Sequence, residues 1–311
     1  QFGGVSATHI DWTMVPYVRK SFTKHLADGL KYIELKSDYK VDRFKKWITH
    51  NSDDETIHFD NKEFKELHPE AWEYAMEMTE KETMQAVEAM YHNLNTLQSR
   101  SGNQLPFTSI NYGTCTLPEG RLVTKCLIEG SIKGIGKLHK TSIFPCGIFQ
   151  CMKGVNREPG DPNYDLFRLA LKSTAQRLYP NYANVDWSGN AGYDINDPRT
   201  YFSTMGCRTA NGWDVNGLGQ LKDGRGNICP TTIILPTIAM EACEVWKGDV
   251  NNEETVEDVF MVFLDRAIHD AKDMLIERFE WICSQSPASA RFMYENGLMA
   301  GYVPEEGIRS A

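Results

Sequence analysis

The sequence predicts an α/β fold, and three observations predict it. From about residue 106 onward, short apolar runs rich in β-branched and aromatic residues alternate with amphipathic segments of helical period, which is the pattern of βα units. Before that point the apolar spacing is mainly helical. Third, a Gly-, Asn- and Asp-rich stretch at about 188–227 lacks helical periodicity apart from the short apolar piece Tyr201–Met205. Together they give a mainly helical block over 1–105, βα units over 106–311, and one long irregular loop inside those units. At 311 residues the chain has room for two average domains or one large α/β unit, and it can bury a core without staples.

Each element has its own justification. Thr8 to Leu35 carries apolar residues at mixed helical spacing, and Pro16 is expected to bend or interrupt it. Residues 49–63 are polar, acidic and aperiodic, and read as a loop. From about Glu70 to Gln98 the pattern sharpens, with Val87, Met90, Tyr91, Leu94 and Leu97 on one buried helical face. Ser101–Gly102–Asn103 stops that helix. Phe107–Tyr112 reads as a short buried strand ended by Gly113. Pro118 and Glu119 then open a helix that runs to about Gly130. Proline has no N–H to lose in a first turn, and a carboxylate there meets the positive end of the helix dipole.

Thr141–Gln150 is the next expected strand, interrupted by Pro145 and Gly147. Tyr164–Leu178 is a helix with Leu166, Leu169 and Ala170 inward, and Tyr182–Trp187 a further strand. Ile228–Leu235 is dense in β-branched residues and is predicted as a strand, with a helix following to about Trp246. Asn252, with Glu253 and Glu254, is expected to start the clearest helix. Its buried face would hold Val256, Val259, Phe260, Phe263, Leu264, Ala267, Ile268 and Ala271, and it would continue to about Cys283.

Composition removes several function classes. Hydrophobic residues at 41% and charged residues at 24% exclude a disordered or collagen-like chain. A formal net charge of -9 argues against a chain dominated by DNA binding, though a local basic pocket for a small anion is compatible with it. No apolar run approaches the ~20 residues of a membrane span, and no secretion signal is present. The eight cysteines have irregular spacing and no C-x-x-C; they read as reduced thiols in a cytoplasmic compartment, packed as small hydrophobes, with no metal site assigned. The chain starts at Gln1 rather than Met, and it reads as a piece of a longer protein.

Common catalytic motifs fail on inspection. Gly130–Lys137 resembles a phosphate loop, but five residues separate Gly130 from Gly136 and Leu138 stands where a hydroxyl should bind magnesium. It reads instead as a glycine-bearing helix end turning toward a strand. There is no G-x-S-x-G and no H-E-x-x-H. His139, just before a predicted strand, is either a polar loop residue or a substrate contact. The unusual feature is Cys207. It lies in a glycine-bearing loop, S-T-M-G-C-R-T, beside the cation Arg208, a setting that presents a thiol rather than packs it. Long irregular segments inside a βα chain are uncommon unless functional.

Six separated pieces together resemble the anaerobic (class III) ribonucleoside-triphosphate reductases, glycyl radical enzymes, most closely their phage-like branch. They are Q-F-G-G-V-S at 1–6, S-I-N-Y-G-T at 109–114, P-E-G-R at 118–121, S-I-F-P-C-G-I-F-Q at 142–150, F-S-T-M-G-C-R-T at 202–209 and G-N-I-C-P-T-T-I-I-L-P-T-I-A-M-E at 226–241. They occur in order over nearly the whole chain.

The resemblance implies a ten-stranded α/β barrel with a finger loop threaded through it, of which this chain would be the central part. Cys207 matches the cysteine at the loop tip. Ser203, Thr204, Met205, Gly206 and Arg208 match the tip around it, as substrate contacts with His139. Asn227 matches an asparagine that holds the substrate hydroxyls, which suits an amide that both donates and accepts.

The resemblance also implies a glycyl radical, installed by a radical S-adenosylmethionine activase, and formate or a thiol as reductant. A four-cysteine zinc site and the R-x-x-G-Y radical segment are matched nowhere in this chain and are expected in a further C-terminal part. A second reactive cysteine is expected in a further N-terminal part. No cofactor is assigned to this chain itself. Expected partners are ribonucleoside triphosphates, dNTP or ATP effectors and a second copy in a homodimer. The N-terminal block would lie near an effector site, with Arg19, Lys20 and Lys31 as candidate contacts; an ordinary solvated charged face is the competing reading. An anaerobic bacterium or a phage-infected host is the implied setting. On this reading the fragment alone is inactive. The alternatives are a non-catalytic nucleotide-binding or assembly subunit, and a glycyl radical enzyme of the pyruvate formate-lyase type.

Overall fold

A computed structural model describes residues 4–34, 56–96, 105–190, 192–206, 209–210, 222–227, 229–248 and 254–310. The chain forms two compact units. The first comprises 1–214 and 219–222, the second 215–218 and 223–311.

The first unit is built on a parallel four-stranded sheet in sequence order: β1 (Gly4–Ala7), β2 (Phe107–Tyr112), β3 (Cys146–Cys151) and β4 (Asn181–Asn184). Between β1 and β2 lie α1 (Ile10–Thr13), α2 (Val15–Tyr32), α3 (Lys62–Leu67) and α4 (Pro69–Thr96). α5 (Pro118–Lys133) connects β2 to β3, and α6 (Tyr164–Arg177) connects β3 to β4. Parallel strands require such crossovers, so the alternation read from the sequence becomes a parallel sheet. The α/β class is therefore observed.

Period-two alternation gives the sheet two different faces. Ile110, Tyr112 and Phe149 pack against Val18 of α2, Val87 and Tyr91 of α4, Val123, Cys126 and Leu127 of α5, and Leu166 and Ala170 of α6. A second cluster joins Phe22, Leu26, Ala27 and Leu30 of α2 to Ala71, Trp72 and Ala75 of α4. The register pairs Ser6 with Ser109 and Asn111 with Ile148, so Ser6, Ser109, Asn111, Ile148 and Gln150 share the opposite face. A short antiparallel ribbon, β5 (Thr204–Met205) with β6 (Thr209–Ala210), completes the described strands of this unit.

The second unit contains α7 (Leu235–Gly248), α8 (Val256–Cys283) and α9 (Arg291–Glu295), with α7 packed on α8. Ile238 and Ala242 of α7 and Val259 of α8 are buried. None of the described helices is long and apolar enough to cross a membrane.

Several expectations are corrected. The helical block hides a strand: Val5 and Ser6 lie in β1, because β2 provides a parallel partner about a hundred residues away in sequence. Of the two outcomes expected at Pro16, interruption is observed: α1 ends at Thr13 and Pro16 sits in the first turn of α2. The strand at 141–150 begins only at Cys146, after Pro145. The one at 182–187 is shifted to Asn181–Asn184, where β3 supplies the register. The strand expected over Ile228–Leu235 is not found among its described residues: residues 229–234 join no ladder, and Leu235 already starts α7. β-branched residues favour extended backbone, but a strand needs a neighbour, and the described residues of the second unit offer only an isolated bridge between Val303 and Gly307.

For α8, Asn252 and Glu253 lie outside the described residues. The observed cap is Thr255, whose hydroxyl accepts from the Asp258 N–H in a reciprocal capping box. Its predicted buried face is only half covered. Val259 alone is buried in α8, and Ile268 is 48% exposed, because α7 covers a single seam of it.

A candidate active-site platform beneath residues 202–206

The polar face of the sheet is the unusual part of the first unit. Parallel strands usually carry apolar residues on both faces. Here Ser109, Asn111 and Gln150 are almost fully buried among them. Buried polar groups must find partners or cost stability, and the partner is the backbone of residues 202–206.

Asn111 makes the central contact. Its Oδ1 accepts from the Thr204 N–H at 3.1 Å, and its Nδ2 donates to the Thr204 carbonyl at 3.0 Å and to the Ala7 carbonyl of β1 at 2.9 Å. Ser6 Oγ donates to the same Thr204 carbonyl at 3.0 Å. Ser109 Oγ donates to Ser6 Oγ at 2.9 Å and accepts from the Gly206 N–H at 3.0 Å. Gln150 Nε2 donates to the Phe202 carbonyl at 2.8 Å. Three strands thus hold residues 202–206 through side chains, with no main-chain ladder between this segment and the four-stranded sheet.

The sequence-predicted site residues fall as follows. Ser203 and Thr204 are buried, and Met205 is half-buried and pairs with Thr209 in the β5–β6 ribbon. Gly206 has φ +66°, and a Cβ there would lie 3.2 Å from the Phe107 ring. The chain reverses between Met205 and Thr209. Cys207 and Arg208 stand between those positions in sequence, outside the described residues. Asn227 is exposed in the second unit, outside any helix or strand.

His139 is exposed with φ +48°, its Nδ1 2.9 Å from the Lys133 carbonyl and its own carbonyl accepting from Arg177. These bonds close the C-terminal end of α5, where Ile135 and Lys140 form a small bridge. The failed phosphate loop is thus a helix end. Arg19 donates through Nε to the buried Glu119 at 3.0 Å, so its guanidinium holds α2 to α5. Lys20 Nζ lies 5.7 Å from the Tyr17 ring centre, and Lys31 Nζ 5.1 Å from that of Tyr32.

The loop after β2 is held just as firmly. Asp11 Oδ2 accepts from the Gly113 N–H at 2.8 Å and the Cys115 N–H at 2.9 Å. Asn156 and Asn163 donate to the Gly113 carbonyl, and Trp12 Nε1 donates to Thr114 Oγ1 at 3.0 Å. Burial pushes the Asp11 carboxyl above its ordinary range, against the pull of the two N–H groups. Burial also pushes the Cys115 thiol well up, Cys126 up to about 12 and Cys151 up to about 11. These thiols resist ionisation and pack as small hydrophobes, as the sequence suggested. Among the described residues no group of three or more His, Cys, Asp or Glu gathers as a metal site.

Sequence reasoning missed the platform. Ser6, Ser109, Asn111 and Gln150 lie inside the quoted motifs, yet the last three read only as parts of strands and Ser6 as part of the helical block. The available signal was polar residues alternating with apolar ones in S-I-N-Y and I-F-Q-C.

The family model described as anaerobic ribonucleoside-triphosphate reductase matches residues 1–310. The chain is similar to proteins of that name from bacteria and a phage. It is 30% identical to the one from Salmonella typhimurium and 29% identical to the one from Escherichia coli, in each case over 95% of this chain and 34% of the relative. It is 29% identical to the one from Enterobacteria phage T4, over 85% of this chain and 37% of the relative. The chain therefore spans about a third of the length of the curated relatives it matches. The four strand and loop motifs that meet at the platform all lie within the matched region, and the chain belongs to the anaerobic ribonucleoside-triphosphate reductase family.

Proposed function

We propose that this chain is the central part of a subunit that reduces ribonucleoside triphosphates to deoxyribonucleotides, with Cys207 as the thiol that takes the 3′-hydrogen. The observation that carries this reading is the anchoring of 202–206. The segment leading to Cys207 is bound through four side chains to three strands, as a radical site requires. Hydrogen abstraction works only from a near-attack position, roughly 3–3.5 Å from the reacting carbon, in a site closed to water. The family also favours ribonucleotides over the pyruvate formate-lyase type of chemistry.

A glycyl radical elsewhere in the subunit would supply the hydrogen-atom acceptor that turns the Cys207 thiol into a thiyl. The sulfur takes the 3′-hydrogen and later returns it. The 2′-hydroxyl takes up a proton and leaves as water, and formate, oxidised to carbon dioxide, or a pair of thiols, oxidised to a disulfide, provides the two electrons that the product gains. Asn227, with an amide that donates and accepts, is the candidate for the ribose hydroxyls. Ser203, Thr204, Met205, Gly206 and Arg208 shape the site around the thiol. The ten-stranded barrel, the homodimer, the activase and the effector site belong to this same reading of the whole subunit.

The test uses the complete subunit, loaded with radical and checked by electron paramagnetic resonance. Cys207→Ser should retain nucleotide binding and radical content and lose deoxynucleotide formation, because an alcohol O–H is much harder to homolyse than a thiol S–H. Turnover by Cys207→Ser, together with its loss in Cys146→Ser or Cys229→Ser, would remove Cys207 from this role.

A further inference from the structure

We infer that Asn111, with Ser109 and Gln150, positions the reactive loop: these side chains set where the reversal between Met205 and Thr209 stands, and so control turnover without touching substrate. The inference rests on the assignment of Cys207 above.

Three features support it. The first is that the contacts go to backbone: Thr204 N–H and carbonyl, Gly206 N–H and Phe202 carbonyl. They constrain the path of the chain whatever the side chains do. The second is their span. Phe202, Thr204 and Gly206 are each tied to the sheet, at alternate residues, up to the last described position before Cys207. The third is composition. An apolar residue at 109, 111 or 150 would satisfy the packing of a buried parallel strand more simply. The polar choice is explained by the loop backbone, whose groups would otherwise be buried unpaired. Asn111 is specific in this respect. Its planar amide presents one acceptor and two donors, and all three are used, by Thr204 N–H, Thr204 carbonyl and Ala7 carbonyl. Aspartate keeps the acceptor and loses both donors. Leucine keeps the shape and loses everything.

The experiment compares Asn111→Leu, Asn111→Asp and Ser109→Ala with the parent in the complete, radical-loaded subunit. Amide hydrogen exchange is followed peptide by peptide, with kcat, substrate Kd and radical content measured on the same samples. Exchange over 202–206 should rise at least tenfold in Asn111→Leu while peptides from β2 and β3 stay protected. The kcat should fall at least tenfold, with Kd and radical content within twofold of the parent. Asn111→Asp and Ser109→Ala should fall between the two. Ser109→Ala removes one bond from a small side chain and decides the matter if Asn111→Leu loses protection throughout the sheet. Loop exchange that rises with unchanged kcat would overturn the inference, as would unchanged exchange. Neither outcome bears on Cys207 itself, whose assignment stands or falls with Cys207→Ser.

Discussion

The side-chain amide of Asn111 pairs with the main chain of Thr204 as a neighbouring strand would, accepting from its N–H at 3.1 Å and donating to its carbonyl at 3.0 Å. The pair joins residues 93 positions apart in sequence. It lets residues 202–206 lie buried on the four-stranded sheet without joining its ladder, while Thr204 and Met205 pair with the short β6 instead. A fifth strand of that sheet would commit its backbone groups to the neighbouring strand. The side-chain version leaves the segment free to turn back immediately beyond Met205.

That turn depends on Gly206. At φ +66° an L side chain is strained by about 1–2 kcal/mol, and a Cβ would press on the Phe107 ring at 3.2 Å. Gly206→Ala is therefore expected to lower stability by about 1–3 kcal/mol in denaturant unfolding, once crowding against the ring is added. Phe107→Ala in the same background should recover the crowding part and leave the strain. A Gly206→Ala chain as stable as the parent would show that the left-handed conformation is not required.

Asp11 gives a pH prediction. Its carboxyl is raised by burial, so the folded chain binds this proton more tightly than the unfolded chain does. Its contribution is full below the unfolded value of about 3.9 and is lost as pH rises through the folded value. Asp11→Asn cannot ionise, yet it still offers an oxygen to the Gly113 and Cys115 N–H groups. Its stability should be flatter with pH above about 4 and at pH 8 at least equal to the parent's. Asp11→Ala leaves both N–H groups without their acceptor and should cost at least about 2 kcal/mol at every pH. Urea titrations from pH 4 to 8 separate the three chains; a larger loss for Asn than for Ala would contradict the assignment.

Arg19 and Lys31 should separate cleanly. Glu119 is buried, accepts from Arg19 and the Phe59 N–H, and keeps Oε2 without a hydrogen-bond partner. Arg19→Met removes the charge that balances it and should cost about 3–5 kcal/mol, as breaking buried pairs does. Lys31 is exposed over Tyr32, so Lys31→Glu should change stability by less than about 0.5 kcal/mol. On the effector reading it should also weaken triphosphate effector binding, measured by calorimetry in the complete subunit. Unchanged effector affinity would remove Lys31 from that site.

Local signals determined much of this chain. Pro118 and Glu119 start α5, the stripe Val87, Met90 and Tyr91 faces the core, and Gly113 ends β2, because capping, period and backbone freedom act over a few residues. The motif around Cys207 and the order of six motifs carried the family. Tertiary structure alone decided what depended on a distant partner. β1 exists because β2 lies beside it, and residues 229–234 form no strand because the described chain gives them no neighbour. Ser6, Ser109, Asn111 and Gln150 read as scattered polar residues in apolar runs. They become a platform only when pleat and register bring them to one face and residues 202–206 fold over them, since hydrogen bonds between positions 52 to 198 apart leave no trace in local periodicity.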